Sequence, residues 1–292
     1  MHINDTLVRD YLDTVRLRGR SPETLRTYRH SLRHFVEFLG DEDLREATPR
    51  TIRAFLSAEM AAGTAPTSVV RFFGDVRAFY KWLLREEEVT SSPVDRVDAP
   101  SAALPPVDLV DVGDITKLLR VRGRNRFLDT RNRVILSLLF DTGMRIGELL
   151  NMRTGDLNLS ADTVTVHGKT GYRTIGYGAT TAVALRRYLR QREQHRLSEL
   201  PDLFITVRGP LNYEAARQML RTYCDAAGVT RTHAHAARHT WASRQLESDA
   251  GEETVRVAGG WSGTASMRRY VRTATERRAA ELNRRHSVVD GL

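Results

Sequence analysis

SPETLRTYRHSLRHFVEFLG, residues 21–40, contains the start, the buried face and the end of one helix. Ser21 has a side chain that caps helix N-termini, and Pro22 fits the first helical position. Gly40 then ends the helix. Between these signals the apolar side chains recur at helical spacing, at Leu25, Tyr28, Leu32, Phe35 and Leu39. The stretch predicts a helix that buries one aliphatic and aromatic face.

The same signals on either side predict three further helices. A first helix over about 5–18 and a fourth over about 66–86 carry apolar residues at helical spacing. Thr48 and Pro49 start the third helix. The aromatic residues lie on these regular faces, so we interpret them as core residues and not as a binding surface. Residues 1–87 are therefore predicted to form a four-helix domain.

A proline-rich stretch, 88–110, separates this domain from the rest of the chain. Its four prolines stand among serines and alanines, which is typical of a linker. Residues 111–292 form the second predicted domain. Its predicted elements are helices near 114–121 and 131–141, a β-hairpin with arms TVTVH (163–167) and YRTIGYG (172–178), and helices near 180–193, 211–226, 235–248 and 275–285. The predicted fold is mainly α with a small β-hairpin.

Composition excludes several classes of protein. No window approaches the roughly 20 apolar residues of a membrane span, and the first residues, MHINDTLVRD, lack the apolar region of a signal peptide. The single cysteine, Cys224, excludes an internal disulfide and a cysteine-clustered zinc site. We therefore expect a soluble, cytoplasmic protein that makes no membrane contact.

Positive charge is concentrated in the second domain. Residues 1–100 contain 15 Lys and Arg against 16 Asp and Glu, a balance of −1, so residues 101–292 contain the other 30 against 20, a balance of +10. A surplus of this size favours a polyanionic partner, although a solvated basic surface would give the same count. Only Lys81, Lys117 and Lys169 are lysines among the 45 basic residues.

Two segments place cations where they could hold a phosphate. In DTGMRIGELL (141–150), Arg145 opens a helix and Glu148 lies three residues on, on the same face. A surface ion pair is the simpler alternative. In VHGKTGYR (166–173), Lys169 lies at the tip of the hairpin, and a lysine can give up a proton where an arginine cannot. A solvated lysine is the alternative there.

Two later segments carry histidines and aromatic residues. RTHAHAARHTWAS (231–243) puts His235 and Arg238 three apart at a helix start, although a helix with satisfied histidines would look the same. No cysteine or carboxylate stands at ligand spacing, so a zinc site is disfavoured. In GGWSGTASMRRYV (259–271), a glycine pair that predicts a turn comes before Trp261, and Tyr270 follows on a short predicted helix with Arg268 and Arg269. These two aromatics could be packing residues or parts of an active site.

The order and spacing of these pieces resemble those of the tyrosine recombinase family, which includes phage integrases and Xer-type recombinases. The series is T-G-x-R-x-x-E, a hairpin lysine, H-x-x-R, G-W and a tyrosine nine residues on. The resemblance covers nearly the whole chain, and includes the S-P-E-T-L-R-T-Y start and the proline-rich linker. It implies an N-terminal four-helix core-binding (SAM-like) domain followed by an α+β catalytic domain. The chain departs from the family pattern at Ala237, where leucine is common, and in the long glycine-containing stretch ESDAGEETVRVAGGW.

The resemblance also implies roles for individual residues. Tyr270 would be the nucleophile that forms a 3′-phosphotyrosine, and Lys169 the general acid. Arg145 and Arg238 would grip the phosphate. His235 and Trp261 would donate hydrogen bonds to it, while Glu148 and His239 would support the site. The arginines supply the charge that a divalent ion would otherwise supply, so neither a metal nor another cofactor is implied.

The partner implied by the resemblance is double-stranded DNA at recombination sites, held in a clamp of the two domains. Candidate DNA contacts are Arg71, Arg77 and Lys81 in the first domain and Arg173 in the second. The family assembles as a homotetramer on DNA, with exchange of the C-terminal tail (273–292) through Ala279, Ala280 and Leu282. An accessory directionality factor is a further expected partner. The protein would be nucleoid-associated in a bacterium, or phage-encoded inside its host.

Several functions share this chemistry. We expect an arm-less phage or mobile-element integrase. The four-helix domain starts close to Met1 and leaves no arm-binding domain before it, which fits such an integrase and a Xer-type recombinase alike. The less standard HAARH and GGW segments favour the integrase. The alternatives are a Xer-type resolvase of chromosome or plasmid dimers and a relaxing enzyme of the type IB topoisomerase kind. A DNA-binding regulator without catalysis is the alternative from another class.

Overall fold

A computed structural model of the chain describes residues 3–103, 107–168, 171–230, 232–248, 250–264 and 267–291. The chain divides into two units, residues 1–105 and 106–292. No helix within these described ranges is long and apolar enough to cross a lipid bilayer. Each unit has a hydrophobic core of its own.

The first unit contains the four predicted helices. They are α1 (Ile3–Leu17), α2 (Pro22–Leu39), α3 (Pro49–Ala61) and α4 (Pro66–Arg85). At the start of α2 the Ser21 hydroxyl accepts a hydrogen bond from the Thr24 backbone N–H at 3.3 Å. Thr48 caps α3 in the same way through the Thr51 N–H at 3.2 Å. The helix starts therefore form as their sequence signals predict.

Aromatic side chains fill the core of this unit, as predicted. Phe35 and Phe55 pack edge to face at 5.2 Å, and the buried Tyr80 donates its hydroxyl hydrogen to the Leu44 carbonyl at 2.6 Å. Val94 is also part of this core, although it lies within the predicted linker. At the other end of that stretch, the Val110 N–H donates to Thr240 of the second unit.

The second unit places a small sheet among helices. Its elements are α5 (Val112–Arg120), α6 (Arg126–Thr142), α7 (Ile146–Leu150), β1 (Leu157–Asn158), β2 (Thr163–Gly168), β3 (Gly171–Gly176), α8 (Ala179–Glu193), α9 (Tyr213–Ala227), α10 (Ala234–Glu247), α11 (Glu252–Gly259) and α12 (Arg268–Arg285). The strands are antiparallel in the order β1-β2-β3, with Val164 opposite Ile175 and Val166 opposite Arg173. A large core surrounds α6, and a smaller one lies between α10, α11 and α12.

Two helical segments differ from the sequence prediction: α6 starts earlier than expected, and the short helix predicted at Tyr270 and the helix predicted near 275–285 form a single helix. Helix α6 begins at Arg126 because Asn125 caps it, accepting from the Leu128 N–H at 3.1 Å. Helix α12 begins at Arg268 and continues unbroken, so Tyr270 and the C-terminal tail share one helix. Most side chains after Ala274 on α12 are exposed, so its sequence carries only a weak apolar period there. The short elements β1 and α11 are additional to those predicted, whereas α7 is the helix that was predicted to open at Arg145.

Candidate active site

Gly143 ends α6 in a conformation that only glycine fits. Its φ is +60°, and a Cβ added there would lie 2.1 Å from the buried ring of Trp241. Both the left-handed backbone and the lack of space therefore exclude a side chain. The turn delivers Arg145 to the start of α7, and it leaves the Gly143 carbonyl to accept from Arg238 Nη1 at 2.8 Å.

Glu148 holds Arg145 at the start of α7. The Arg145 backbone N–H donates to Glu148 Oε2 at 2.8 Å, and Arg145 Nη1 donates to Oε1 at 2.9 Å. The Arg145 side chain remains 40% exposed while that of Glu148 is 6% exposed. The pair therefore places a partly exposed guanidinium against a buried carboxylate.

Arg173 on β3 completes this ion-pair network. Its two Nη atoms donate to the two carboxylate oxygens of Glu148 at 3.0 and 2.9 Å, and Nε donates to the Ala258 carbonyl at 2.8 Å. The side chain is only 12% exposed, so this placement favours bracing of Glu148 over the expected DNA contact. The strand register is the feature that could have predicted this buried position. Arg173 lies opposite the buried Val166, and cross-strand partners share a face of the sheet.

Three arginines converge on the C-terminal end of α11. The carbonyls of Ala258, Gly259 and Gly260 accept one guanidinium each. The donors are Arg173 at 2.8 Å, Arg238 at 2.6 Å and Arg145 at 2.9 Å, in that order. The last carbonyls of a helix have no intrahelical partner and carry partial negative charge, so they attract cations. This end of α11 therefore positions the guanidinium groups of the site.

Packing around Trp261 and Arg173 explains the glycine pair before Trp261. A Cβ on Gly259 would lie 1.9 Å from the Trp261 ring, and Gly260 has a φ of +64° with Arg173 beside it. Glycines at both positions let the backbone pass between the tryptophan and the arginine. The sequence pattern predicted only a turn at this pair.

Arg238 is buried against Trp261. Its guanidinium carbon lies 4.0 Å from the centroid of the Trp261 ring, and the residue is 2% exposed. Burial, with the nearby charge of Arg145, lowers the pKa of Arg238 to about 10, which leaves it charged at neutral pH. The two bonds to carbonyls use two of its five N–H donors. A charged guanidinium that has N–H donors beyond these two bonds suits an anion such as a phosphate.

Tyr270 lies beside this stack, in the first turn of α12. Its ring centroid is 5.5 Å from that of Trp261 and 5.4 Å from that of His239. The structure thus brings Arg145, Arg238, Trp261 and Tyr270 together. Tyr270 is only 2% exposed, so its ring is buried within this cluster.

The histidines form a line that leads outward from Tyr270. His239 is buried, and its ring centroid is 5.2 Å from that of His235, which is exposed on the first turn of α10. His233 has a separate role, since its Nδ1 caps α10 by accepting from the Ala236 N–H at 3.0 Å. Within the described ranges, no three His, Cys, Asp or Glu side chains are grouped so that they could hold a metal ion.

The remaining candidates lie elsewhere. Lys169 is outside the described residues, between the ends of β2 and β3. Arg71, Arg77 and Lys81 are exposed on α4 of the first unit, and helical spacing puts them within an arc of about 120°. Arg77 is 3.5 Å from Asp95 in an exposed ion pair.

Glu148→Gln should destabilise the protein at neutral pH by about 3 kcal/mol, because it leaves two arginines without their carboxylate. Burial acts to raise the pKa of Glu148, but the bonds from Arg173 and Arg145 outweigh it, so the pKa lies below its ordinary value of 4.5. A carboxyl group whose pKa is lowered by folding stabilises the protein at pH values above its ordinary pKa. That contribution to the free energy of unfolding is lost as the pH falls through the folded-state pKa. Urea unfolding at several pH values should show the difference between the two proteins shrinking below pH 4.5.

Glu276→Gln is the matched control for this measurement. Glu276 is 65% exposed in a surface pair with Arg272, so its replacement should change the free energy of unfolding by less than about 1 kcal/mol at any pH. A Glu148→Gln difference that stayed constant with pH would mean that the carboxylate charge does not hold the network.

Comparison with known proteins identifies the family. The family model described as Phage integrase family matches residues 111–277, and that described as Phage integrase, N-terminal SAM-like domain matches residues 8–87. The tyrosine recombinase XerD of Staphylococcus haemolyticus is 26% identical over 275 residues, which cover 91% of this chain and 93% of the relative. The tyrosine recombinase XerC of Oceanobacillus iheyensis is 29% identical over 276 residues, which cover 91% and 90%.

Solved structures share the fold. XerH bound to a palindromic difH substrate, in a post-cleavage complex, has a TM-score of 0.76 at 19% identity, covering 94% of this chain and 82% of that one. A lambda integrase tetramer bound to a Holliday junction has a TM-score of 0.71 at 17% identity, covering 91% and 76%. These likenesses confirm the predicted fold class. Since the first family model spans more than half of the sequence, the chain belongs to the phage integrase family, the tyrosine recombinases that carry out site-specific DNA recombination.

Proposed function

We propose that this protein is a Xer-type recombinase that cleaves and rejoins DNA through a phosphotyrosine at Tyr270. The family accounts for recombination, and the names XerD and XerC among the relatives favour the Xer-type alternative over the integrase that the sequence pattern led us to expect. Those relatives match over about nine-tenths of both chains, so the likeness extends through both units. Dimers of a chromosome or plasmid would then be the DNA that it resolves.

The observation that carries the catalytic assignment is the convergence of two arginines, a tryptophan and a tyrosine around the end of α11. The Tyr270 Oη would attack a phosphorus atom, forming the phosphotyrosine bond as the bond from phosphorus to the 5′ oxygen breaks. Arg145 and Arg238 would stabilise the charge that develops on the non-bridging oxygens. Because the bond energy is kept in the phosphotyrosine, the reverse attack by a 5′ hydroxyl rejoins the strand.

Two protons must move in this reaction. Lys169 would give a proton to the leaving 5′ oxygen, a role in which an arginine could not replace it. The tyrosine proton would leave toward His239 and His235, whose ring centroids follow that of Tyr270 at 5.4 and then 5.2 Å. The exposed His235 would release it to solvent.

The C-terminal tail would couple cleavage to assembly. Tyr270 is buried at the start of the helix whose later part carries the exposed Leu282, Ala279 and Ala280. Leu282 is 58% exposed, which is costly for a leucine with no partner to cover it. Docking of this tail on a neighbouring copy in a DNA-bound tetramer would pull on α12 and so free Tyr270.

DNA binding would use both units. The exposed arc of Arg71, Arg77 and Lys81 on α4 offers cations to phosphates in the first unit, and the basic surplus of the second unit adds to it. Affinity that rests on such contacts falls steeply with salt. An accessory directionality factor would be needed only in the integrase alternative.

Sequencing of covalently captured DNA tests this proposal. Purified protein is incubated with fragmented genomic DNA of its own bacterium and denatured in detergent, and the DNA attached to protein is sequenced. Tyr270→Phe provides the background. A Xer-type enzyme should capture one palindrome-like chromosomal or plasmid site, and a plasmid with two direct copies of that site should resolve into two circles.

The other outcomes are equally definite. Capture at two unrelated loci, one of them at the end of a mobile element, would favour the integrase and overturn the Xer-type assignment. Enrichment of bound DNA without any covalent attachment would mean a DNA-binding protein that does not cut.

A further inference from the structure

A second concave surface lies on the catalytic unit, away from the arginine cluster. We call it the α5–α6–α8 groove, and it has a volume of about 590 Å³. The end of α5, the first three turns of α6 and the N-terminal half of α8 form its walls. Ser137, the lining residue of α6 nearest to Gly143 along the chain, precedes it by six residues or about 9 Å of helix, and the lining includes none of the residues assigned to the candidate active site. The groove is therefore distinct from the candidate active site.

Arginines dominate the charge of this groove. Five of them line it, namely Arg122, Arg124, Arg126, Arg133 and Arg187. In the described part of the chain, none of the five makes a salt bridge, whereas many other arginines of the chain do. The one acidic lining residue, Asp129, accepts the Gly123 backbone N–H with both carboxylate oxygens at 2.9 Å. The groove thus concentrates positive charge without a matching anion of its own.

Arg133 anchors this charge in a fixed position. Its Nε and Nη2 both donate to the Leu119 carbonyl, at 3.1 and 2.9 Å. Burial, together with the charges of Arg122 and Arg187, lowers the pKa of Arg133, so both of these neighbours repel the Arg133 guanidinium. An anion that enters there would relieve this repulsion.

The uncharged lining combines aliphatic side chains with the hydroxyl groups of Thr130, Ser137 and Thr180. Leu119, Ala179 and Ala184 contribute apolar surface, and Val183 is 67% exposed beside them. A large apolar side chain that is left in water between cations gains free energy when a partner covers it. The occupant must therefore bring both negative charge and an apolar side chain.

We propose that the α5–α6–α8 groove binds an acidic segment of a partner protein, with a leucine-like side chain seated on Val183 and carboxylates paired with the surrounding arginines. A DNA backbone offers phosphates but no aliphatic group for Val183. The tail of a second copy is disfavoured by charge, since Arg277, Arg278, Arg284 and Arg285 stand along it. A peptide with both acidic and apolar side chains matches the positive charge and the apolar lining of the groove.

Fluorescence anisotropy with two labelled peptides tests this inference on the full chain. One peptide repeats Glu-Glu-Leu and the other repeats Glu-Glu-Ser, so they carry the same charge and differ in the apolar side chain. We expect the leucine peptide to bind about tenfold more tightly than the serine peptide, and Arg187→Glu to weaken it about tenfold. Arg187 is exposed on α8, so its replacement should leave the thermal unfolding temperature unchanged.

Arg208→Glu is the matched control, because it makes the same charge change at an exposed position outside the groove. It should leave the affinity for the leucine peptide within about twofold. Equal binding of both peptides, or equal effects of the two variants, would mean that general positive charge explains the binding and would overturn the proposal. The same conclusion would follow if neither peptide bound and Arg187→Glu weakened only the affinity for non-specific duplex DNA.

Discussion

Tyr270→Phe is expected to lower the rate of covalent attachment to DNA by about 10⁴-fold or more, because it removes the attacking oxygen. The phenylalanine ring keeps the packing of Tyr270 against Trp261 and His239, at 5.5 and 5.4 Å between centroids. DNA binding should therefore stay within about twofold of the wild type, since phosphate contacts supply most of the affinity. Labelled duplex containing a captured site, resolved on a denaturing detergent gel, measures the covalent product.

Tyr213→Phe makes a matched control for this experiment. Tyr213 is 59% exposed at the start of α9, so it is the more accessible phenol of the two and would be the better nucleophile if exposure alone decided. Its loss should leave the covalent product unchanged. An adduct that persisted in Tyr270→Phe and disappeared in Tyr213→Phe would reverse the assignment. Thermal unfolding of both variants separates a loss of chemistry from a loss of fold.

The parts of the fold that were predicted from sequence are those with local signals. Ser21 with Pro22 and Thr48 with Pro49 start their helices as expected, because a cap and a fixed proline φ act within one turn. The continuity of α12 was not predicted because, among the side chains that the structure describes along its first turns, the buried ones are Met267, Tyr270 and Ala274. A helix that buries only a narrow stripe of side chains has a weak apolar period in its sequence, so the pattern does not show its full length.

The candidate site was predicted in part for a similar reason. Motif order brought Arg145, Arg238, Trp261 and Tyr270 into one hypothesis, and the structure places them together. Glu148 was expected to support the site, but the other groups that hold the arginines could not be predicted, because they are backbone carbonyls at Gly143 and at the end of α11. A carbonyl is present at every residue, so no side-chain pattern identifies those that accept.

Arg238→Lys is expected to lower the single-turnover cleavage rate by about 10²- to 10³-fold near neutral pH, although it keeps a basic residue. The lysine ammonium cannot reproduce the planar fork that donates to the Gly143 and Gly259 carbonyls and stacks on Trp261. Burial would also lower the pKa of the lysine. The environment that lowers the pKa of Arg238 to about 10 would lower that of a lysine, whose ordinary value is about 10.4, much nearer to neutrality.

The pH dependence distinguishes lost charge from lost geometry. A lysine with a lowered pKa is protonated only below that pKa, so the ratio of the Arg238→Lys rate to the wild-type rate should rise as pH falls from about 9 to about 6. Arg238→Met fills a similar space without a titratable group, and its ratio to the wild type should stay flat over the same range. Parallel curves for the two variants would mean that the buried fork, with its fixed hydrogen bonds, matters and that positive charge at this position does not. A rising ratio for lysine alone would assign to Arg238 the stabilisation of phosphate charge, which the stacked and buried guanidinium is placed to provide.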